Sequence, residues 1–137
     1  SGLTPLKADW RINKQIYVAE TTELARKEAL NGALARDFSK YWTKLIGNSP
    51  GRGLGIFKYD SEIPDRDVTP EYMLDNYWIV GDPDHCVQEI KNLYDQSGGF
   101  GTLLIQTDDW GNKNRQFHRS LELIATEVMP KLENLNP

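Results

Sequence analysis

Disulfides are excluded at once, because Cys86 is the only cysteine in 137 residues. A lone thiol fits a reducing compartment, and nothing in the sequence pairs it with a base. Cys86 therefore reads as a small buried side chain, not a nucleophile. Histidine is almost as scarce. His85 and His118 fall in separate stretches, with no second histidine or cysteine at ligand spacing, which argues against a zinc site. Basic charge is in deficit, with 16 Lys and Arg against 20 Asp and Glu. The net charge of -4 offers no field to a nucleic-acid backbone. Long apolar runs are missing too. Nothing approaches the ~20 residues that cross a bilayer, and no signal-peptide core opens the chain. No membrane partner is expected, and a cytoplasmic location is.

Two familiar loops are also absent. The run GNSPGRGLG has Arg52 where a phosphate loop needs glycine, and no Gly-Lys-Ser/Thr follows. Gly51, Gly53 and Gly55 form GxGxG after a helical stretch, so the run reads as a mobile loop. Asp65, Arg66 and Asp67 lack the glycine and the closing glutamate of a calcium loop.

What is present is clearest between residues 78 and 109. Trp78, Ile79 and Val80 make a short apolar run that ends at Gly81. Asp82 then offers an N-cap oxygen and Pro83 the preset φ of a first helical turn. Val87, Ile90 and Tyr94, with Cys86 and Leu93 beside them, line one helical face. Gly98 and Gly99 end that helix. Thr102, Leu103, Leu104 and Ile105 carry no charge, as expected of a parallel strand covered on both faces.

The chain in order begins with an alternating strand over 12–19. A helix follows from Leu24 to Leu45, with Leu30, Leu34, Phe38 and Tyr41 on its stripe and Gly32 as a weak point. The 47–70 connection keeps no period and is long enough to be a lid or binding loop. A short helix runs through Leu74. The last helix is capped by Asn112 or Asn114 and carries Phe117, Leu121, Ile124 and Val128 on one face, with Pro130 breaking it. Strands alternating with amphipathic helices predict the α/β class with a parallel sheet, in one domain-sized unit over 1–137. Two strands with a crossover leave ladder edges bare, which predicts a homo-oligomer, most simply a dimer.

Candidate chemistry is sparse. Arg52 and Lys58 on the 47–70 connection are placed to neutralise an anionic ligand; the alternative is solvated loop charge. Asp108, Asp109 and Trp110 follow the 102–105 strand, at the end where α/β proteins keep their sites. Capping of the next helix is the alternative there.

The segments DWRINKQIYVAET, NGALARDF, LGIFK, VTPEYMLDNYWIVGDPD, LYDQSGGFGTLLIQTDDW and RSLELIATEVMPKL together resemble the C-terminal part of luciferase-like flavin-dependent monooxygenases. The resemblance covers nearly the whole chain. It implies the C-terminal fragment of a (β/α)8 TIM barrel, with 12–19 as the seventh strand and 101–107 as the eighth. The 47–70 connection would then be the family's mobile lid, which places Arg52, Phe57 and Lys58 over the substrate. It also implies reduced FMN from a separate flavin reductase, O2, and a hydrophobic small molecule such as a terpene or cyclic ketone. The first six strands have no counterpart here, so no flavin-binding residue carries over. The fragment alone is expected to bind no cofactor and to be inactive. The other reading is a free-standing α/β ligand-binding or interaction module of the same descent, without redox activity.

Overall fold

The alternating run at 12–19 does not form one strand. The computed structural model, which describes residues 6–51, 53–106 and 108–135, divides it at Gln15 into β1 (Arg11–Lys14) and β2 (Ile16–Val18). Each half has a different neighbour. β1 pairs in parallel with Thr102–Ile105, Arg11 opposite Thr102 and Lys14 opposite Ile105. β2 pairs in parallel with Ile79–Gly81, Ile16 opposite Ile79 and Val18 opposite Gly81. In chain order these partners are β4 and β3. The carbonyls of Trp10 and Lys14 accept from Thr102 and Gln106, whereas the carbonyl of Gln15 accepts from Ile79. Successive peptide groups of a strand point to opposite edges, so β3 and β4 flank the 11–18 run on opposite sides. The apolar run before Gly81 is thus a strand that the sequence reading left unassigned. The pairs are all parallel, as the α/β class requires.

The long helix expected from Leu24 to Leu45 is interrupted. The Thr21 hydroxyl accepts from the Leu24 N–H at 3.2 Å and starts α1 (Thr22–Leu30). At Gly32 the backbone is extended, φ -111 and ψ -159, and the chain restarts as α2 (Ala33–Asp37). A Cβ on Gly32 would stand 2.4 Å from the Trp110 ring and 2.6 Å from the Glu28 carbonyl. The close approach of Trp110 is what requires glycine here. A π-turn, Phe38–Trp42, and α3 (Thr43–Gly47) follow.

The 47–70 connection contains 3-10 turns at Gly53–Phe57 and Asp65–Asp67, and it ends on the buried Val68. Thr69 caps α4 (Pro70–Asn76), which runs beyond Leu74. The helix after β3 matches the sequence reading closely. Asp82 accepts from the His85 N–H at 2.9 Å, α5 spans Pro83–Ser97, and Gly98 takes the left-handed φ of 71° that ends it. The last helix, α6 (Asn114–Leu123), lacks the expected asparagine cap. Its N-cap position is Lys113, with no side-chain hydrogen bond. Pro130 does not stop the winding. It lies early in a 3-10 turn, Met129–Leu132, where its missing N–H is tolerated.

Alternation along β2 sends side chains into two separate cores. Tyr17 and Ala19 join Ala25, Ala29, Phe38, Trp78 and Trp110 on one face. Ile16 and Val18 join Cys86, Val87, Ile90, Leu123 and Val128 on the other. The remaining edge of β2 is not bare, as two isolated strands would leave it. The Val18 N–H donates to the Ser120 hydroxyl at 2.8 Å, and Ser120 is buried.

Candidate functional site: an aromatic cleft beside the strand break

Gln15 interrupts the strand, and Gln106 follows the last residue of β4. Their side chains meet across the two strands, the Gln15 Nε2 donating to Gln106 Oε1 at 3.1 Å. This amide pair forms one polar side of an open cleft of ≈ 330 Å3. Phe38 and Trp42 reach it from the π-turn, Phe57 from the 53–57 turn, and Met73 and Tyr77 from α4 and its C-cap. Phe57 stands edge-on to Phe38 at 5.6 Å and to Tyr77 at 5.9 Å. Burial raises the Tyr77 hydroxyl pKa, with Tyr72 adding to the shift. Lys14 is the cation on this cleft. Its ammonium donates to the Tyr77 carbonyl and lies 5.6 Å from the Tyr77 ring. Burial lowers its pKa, and the Glu89 carboxylate opposes the shift.

A small cavity of ≈ 10 Å3 shares Gln15, Phe38 and Trp42 with the cleft and is completed by Leu34, Trp78 and Asp108. It has room for about one water-sized group. The Trp78 Nε1 is buried without a hydrogen-bond partner among the described residues. An unpaired buried donor costs about 1–3 kcal/mol. Asp108 is half-buried. Burial pushes its carboxyl pKa up, the Asp37 carboxylate adds to the rise, and Arg36 opposes it.

The residues singled out in sequence separate into two sets. Phe57 and Asp108 come together around the cleft and its cavity. The others do not. Lys58 is nearly buried and ion-paired with Asp65, within the same connection. The Asp109 carboxylate accepts from the Gly111 N–H at 2.8 Å, and its carbonyl accepts from Arg36. That is a local turn ahead of the last helix and not its cap, because the α6 N-cap position is Lys113. Trp110 is buried, stacked between Tyr17 at 4.8 Å and Phe117 at 5.7 Å, and serves the core. Arg52 lies outside the described residues.

Most of the lining was not singled out in sequence: Gln15, Phe38, Trp42, Tyr77 and Gln106 in the cleft, and Trp78 in the small cavity. Two signals were available. Gln15 closes a polar run, Asn13-Lys14-Gln15, just ahead of the apolar Ile16, and Tyr77 and Trp78 place adjacent aromatics just ahead of a buried run.

Comparison with known proteins bears on this arrangement. Over 136 residues the chain is 29% identical to 3,6-diketocamphane 1,6-monooxygenase of Pseudomonas putida, which covers 96% of the chain and 34% of that protein. It is 33% identical over 132 residues to limonene 1,2-monooxygenase of Rhodococcus erythropolis, covering 95% of the chain and 30% of the relative. A solved structure superposes with a TM-score of 0.82 at 28% identity, over 95% of the chain and 35% of its own length. That structure is the oxygenating constituent of 3,6-diketocamphane monooxygenase from Pseudomonas putida, a type II Baeyer-Villiger monooxygenase in complex with FMN. This chain is a homologue of part of the luciferase-like flavin monooxygenases. It spans about a third of the length of the monooxygenase relatives that it matches. No protein-family model matches the chain. Among the described residues, no helix is long and apolar enough to cross a membrane.

Proposed function

We propose that this chain supplies the hydrophobic-substrate wall of a flavin-dependent monooxygenase that uses reduced FMN and O2 to oxygenate a terpene or cyclic ketone. The aromatic cleft carries this reading. Phe38, Trp42, Phe57, Met73 and Tyr77 present apolar surface beside Gln106, next to the carboxyl end of β4. The monooxygenase relatives named above support the reaction class. In this reading the strands belong to a (β/α)8 barrel and the protein is cytoplasmic. A separate reductase delivers the flavin. The 47–70 connection is a mobile lid whose Phe57 closes against Tyr77.

The cleft does not fit FMN by itself. A flavin phosphate calls for converging cations or free backbone N–H groups. The cation that lines the cleft, Lys14, is already engaged with the Tyr77 carbonyl. What the cleft fits is an apolar ring system, so the isolated chain binds substrate and not flavin, and it is inactive alone.

Headspace partitioning of camphor or limonene over the purified chain, with FMN fluorescence titrated in parallel, tests this. Saturable uptake of the terpenoid is expected, weakened several-fold in Phe57→Ala, with no FMN binding. Tight FMN binding without terpenoid uptake would overturn the assignment. Turnover is then assayed with a flavin reductase. Oxygenated product is expected only from a polypeptide that also spans the rest of the relatives' length. Product formed by the chain alone contradicts the proposed inactivity. An inactive long form that still binds terpenoid would favour the free-standing binding module, a reading supported by a cleft that this chain builds from its own residues.

A further inference from the structure

Tyr72 is not among the residues that line the aromatic cleft, yet it touches two segments that meet there. We propose that Tyr72 is a positioning residue, a clasp that holds the Phe57 turn against Tyr77 and so sets how fast a ligand enters and leaves the cleft. This rests on the cleft being the substrate site. The contacts form a closed circuit. The Tyr72 ring stacks on Tyr59 at 5.9 Å with an interplanar angle of 13°, and its hydroxyl accepts from the Tyr59 backbone N–H at 3.2 Å. The same ring lies 6.2 Å from Tyr77. Phe57, two residues before Tyr59, meets Tyr77 edge-on at 5.9 Å.

The two ends of the circuit differ in rigidity. Tyr72 stands on α4, where its N–H donates to the Thr69 cap at 3.3 Å and its carbonyl accepts from the Asn76 side chain at 2.8 Å. Tyr59 is 73% exposed, so burial does little to hold it, and the stack and the N–H bond to Tyr72 tie it to the helix. Two residues span at most about 7 Å, so Tyr59 cannot move far from Tyr72 without drawing Phe57 off Tyr77. Tyr72 itself stays off the cleft, and a ligand does not compete for it. A gate that opens for both entry and exit scales the two rates together and leaves their ratio, the affinity, nearly unchanged.

Trypsin cleavage after Lys58 reads the turn without any ligand, because a nearly buried, ion-paired lysine reaches a protease only when the turn opens. Cleavage after Lys91, within α5, reads unfolding of the fold. Tyr72→Phe keeps the ring and removes the hydroxyl. It should speed cleavage after Lys58 about fivefold, the factor that one neutral hydrogen bond is worth, and leave cleavage after Lys91 unchanged. Camphor dissociation, followed by tryptophan fluorescence with Trp42 in the cleft, should quicken in step while equilibrium binding stays the same. In a Phe57→Ala background, Tyr72→Phe should leave camphor dissociation unaltered, since the clasp acts through Phe57. Wild-type cleavage after Lys58 in Tyr72→Phe overturns the clasp, whatever camphor does. Faster cleavage with wild-type camphor dissociation overturns its role at the cleft and leaves the cleft reading standing. A wild type that binds no camphor overturns both the cleft reading and the gate.

Discussion

At the scale of single residues, close approach decides more here than polarity. Trp110 falls in an acidic, strand-end stretch that suggests chemistry, yet it is 4% exposed and lies nearly parallel to Phe117, with an interplanar angle of 6°. Offset aromatic pairs of this kind add about 0.5–1.5 kcal/mol beyond the area they bury. The stack exists only because Gly32 has no side chain. Gly32→Ala places a methyl 2.4 Å from the Trp110 ring and 2.6 Å from a backbone carbonyl, and a carbonyl has no rotamer to move to. The expected loss is about 1–3 kcal/mol in urea unfolding at pH 7. A variant as stable as the wild type would mean that Trp110 is loosely held. Cys86 shows the same principle from the other side. It is fully buried, and burial pushes its thiol pKa up to about 12, as a packing residue and not a nucleophile requires.

At the scale of elements, local signals survive best where their hydrogen bonds are made within the element. α5 is read correctly at both ends, because Asp82, Pro83 and Gly98 act on their own helix. The Asp82 carboxyl pKa is lowered, first by the His85 N–H and then by the Thr22 hydroxyl. Its charged form is thus favoured in the folded chain. The resulting stability is present above the unfolded aspartate value of about 3.9 and is lost as pH falls through the lower folded value. Asp82→Ala should therefore cost about 1 kcal/mol at pH 7. The gap to the wild type should narrow in acid; an equal gap at pH 7 and pH 3 would show that the cap acts without its charge. By contrast, α1 and α2 are separated by a contact with Trp110, 78 residues further along the chain, which no helical period can announce. The division at Gln15 is of the same kind. Alternation announces a strand over 12–19, but β3 and β4 determine which half pairs on which edge.

At the scale of the whole molecule, the expectation of two bare strand edges is partly overturned, because β3 and Ser120 cover β2. The β1–β4 pair is less covered. Arg11, Asn13, Thr102 and Leu104 are exposed, with Leu104 at 45%, and an apolar groove of ≈ 380 Å3 runs past Leu103, Ile105 and Met129. Unpaired apolar surface of this kind favours association. The isolated chain should form a dimer in light scattering at micromolar concentration, and Met129→Asp should shift it towards monomer. A wild-type monomer that unfolds cooperatively would show that this groove is stable against water.

Composition, periodicity and caps determined the α/β class, the parallel pairing and most of the helices. Each follows from the period of apolar residues or from groups that bond within a few residues of themselves. The strand end placed Asp108 among the candidates, and the lid implied by the family resemblance placed Phe57 there. Tertiary structure alone decided that Lys58 is tied to Asp65 and that Trp110 is core. It also decided that Gln15, Phe38, Trp42 and Tyr77 line one cleft with Phe57, and that Trp78 and Asp108 line a small cavity that shares Gln15, Phe38 and Trp42 with it. The cleft draws its lining from a strand break, a π-turn, a 3-10 turn, a helix C-cap and two strand ends. Residues so far apart in the chain share no period, and only packing brings them to the same cavity.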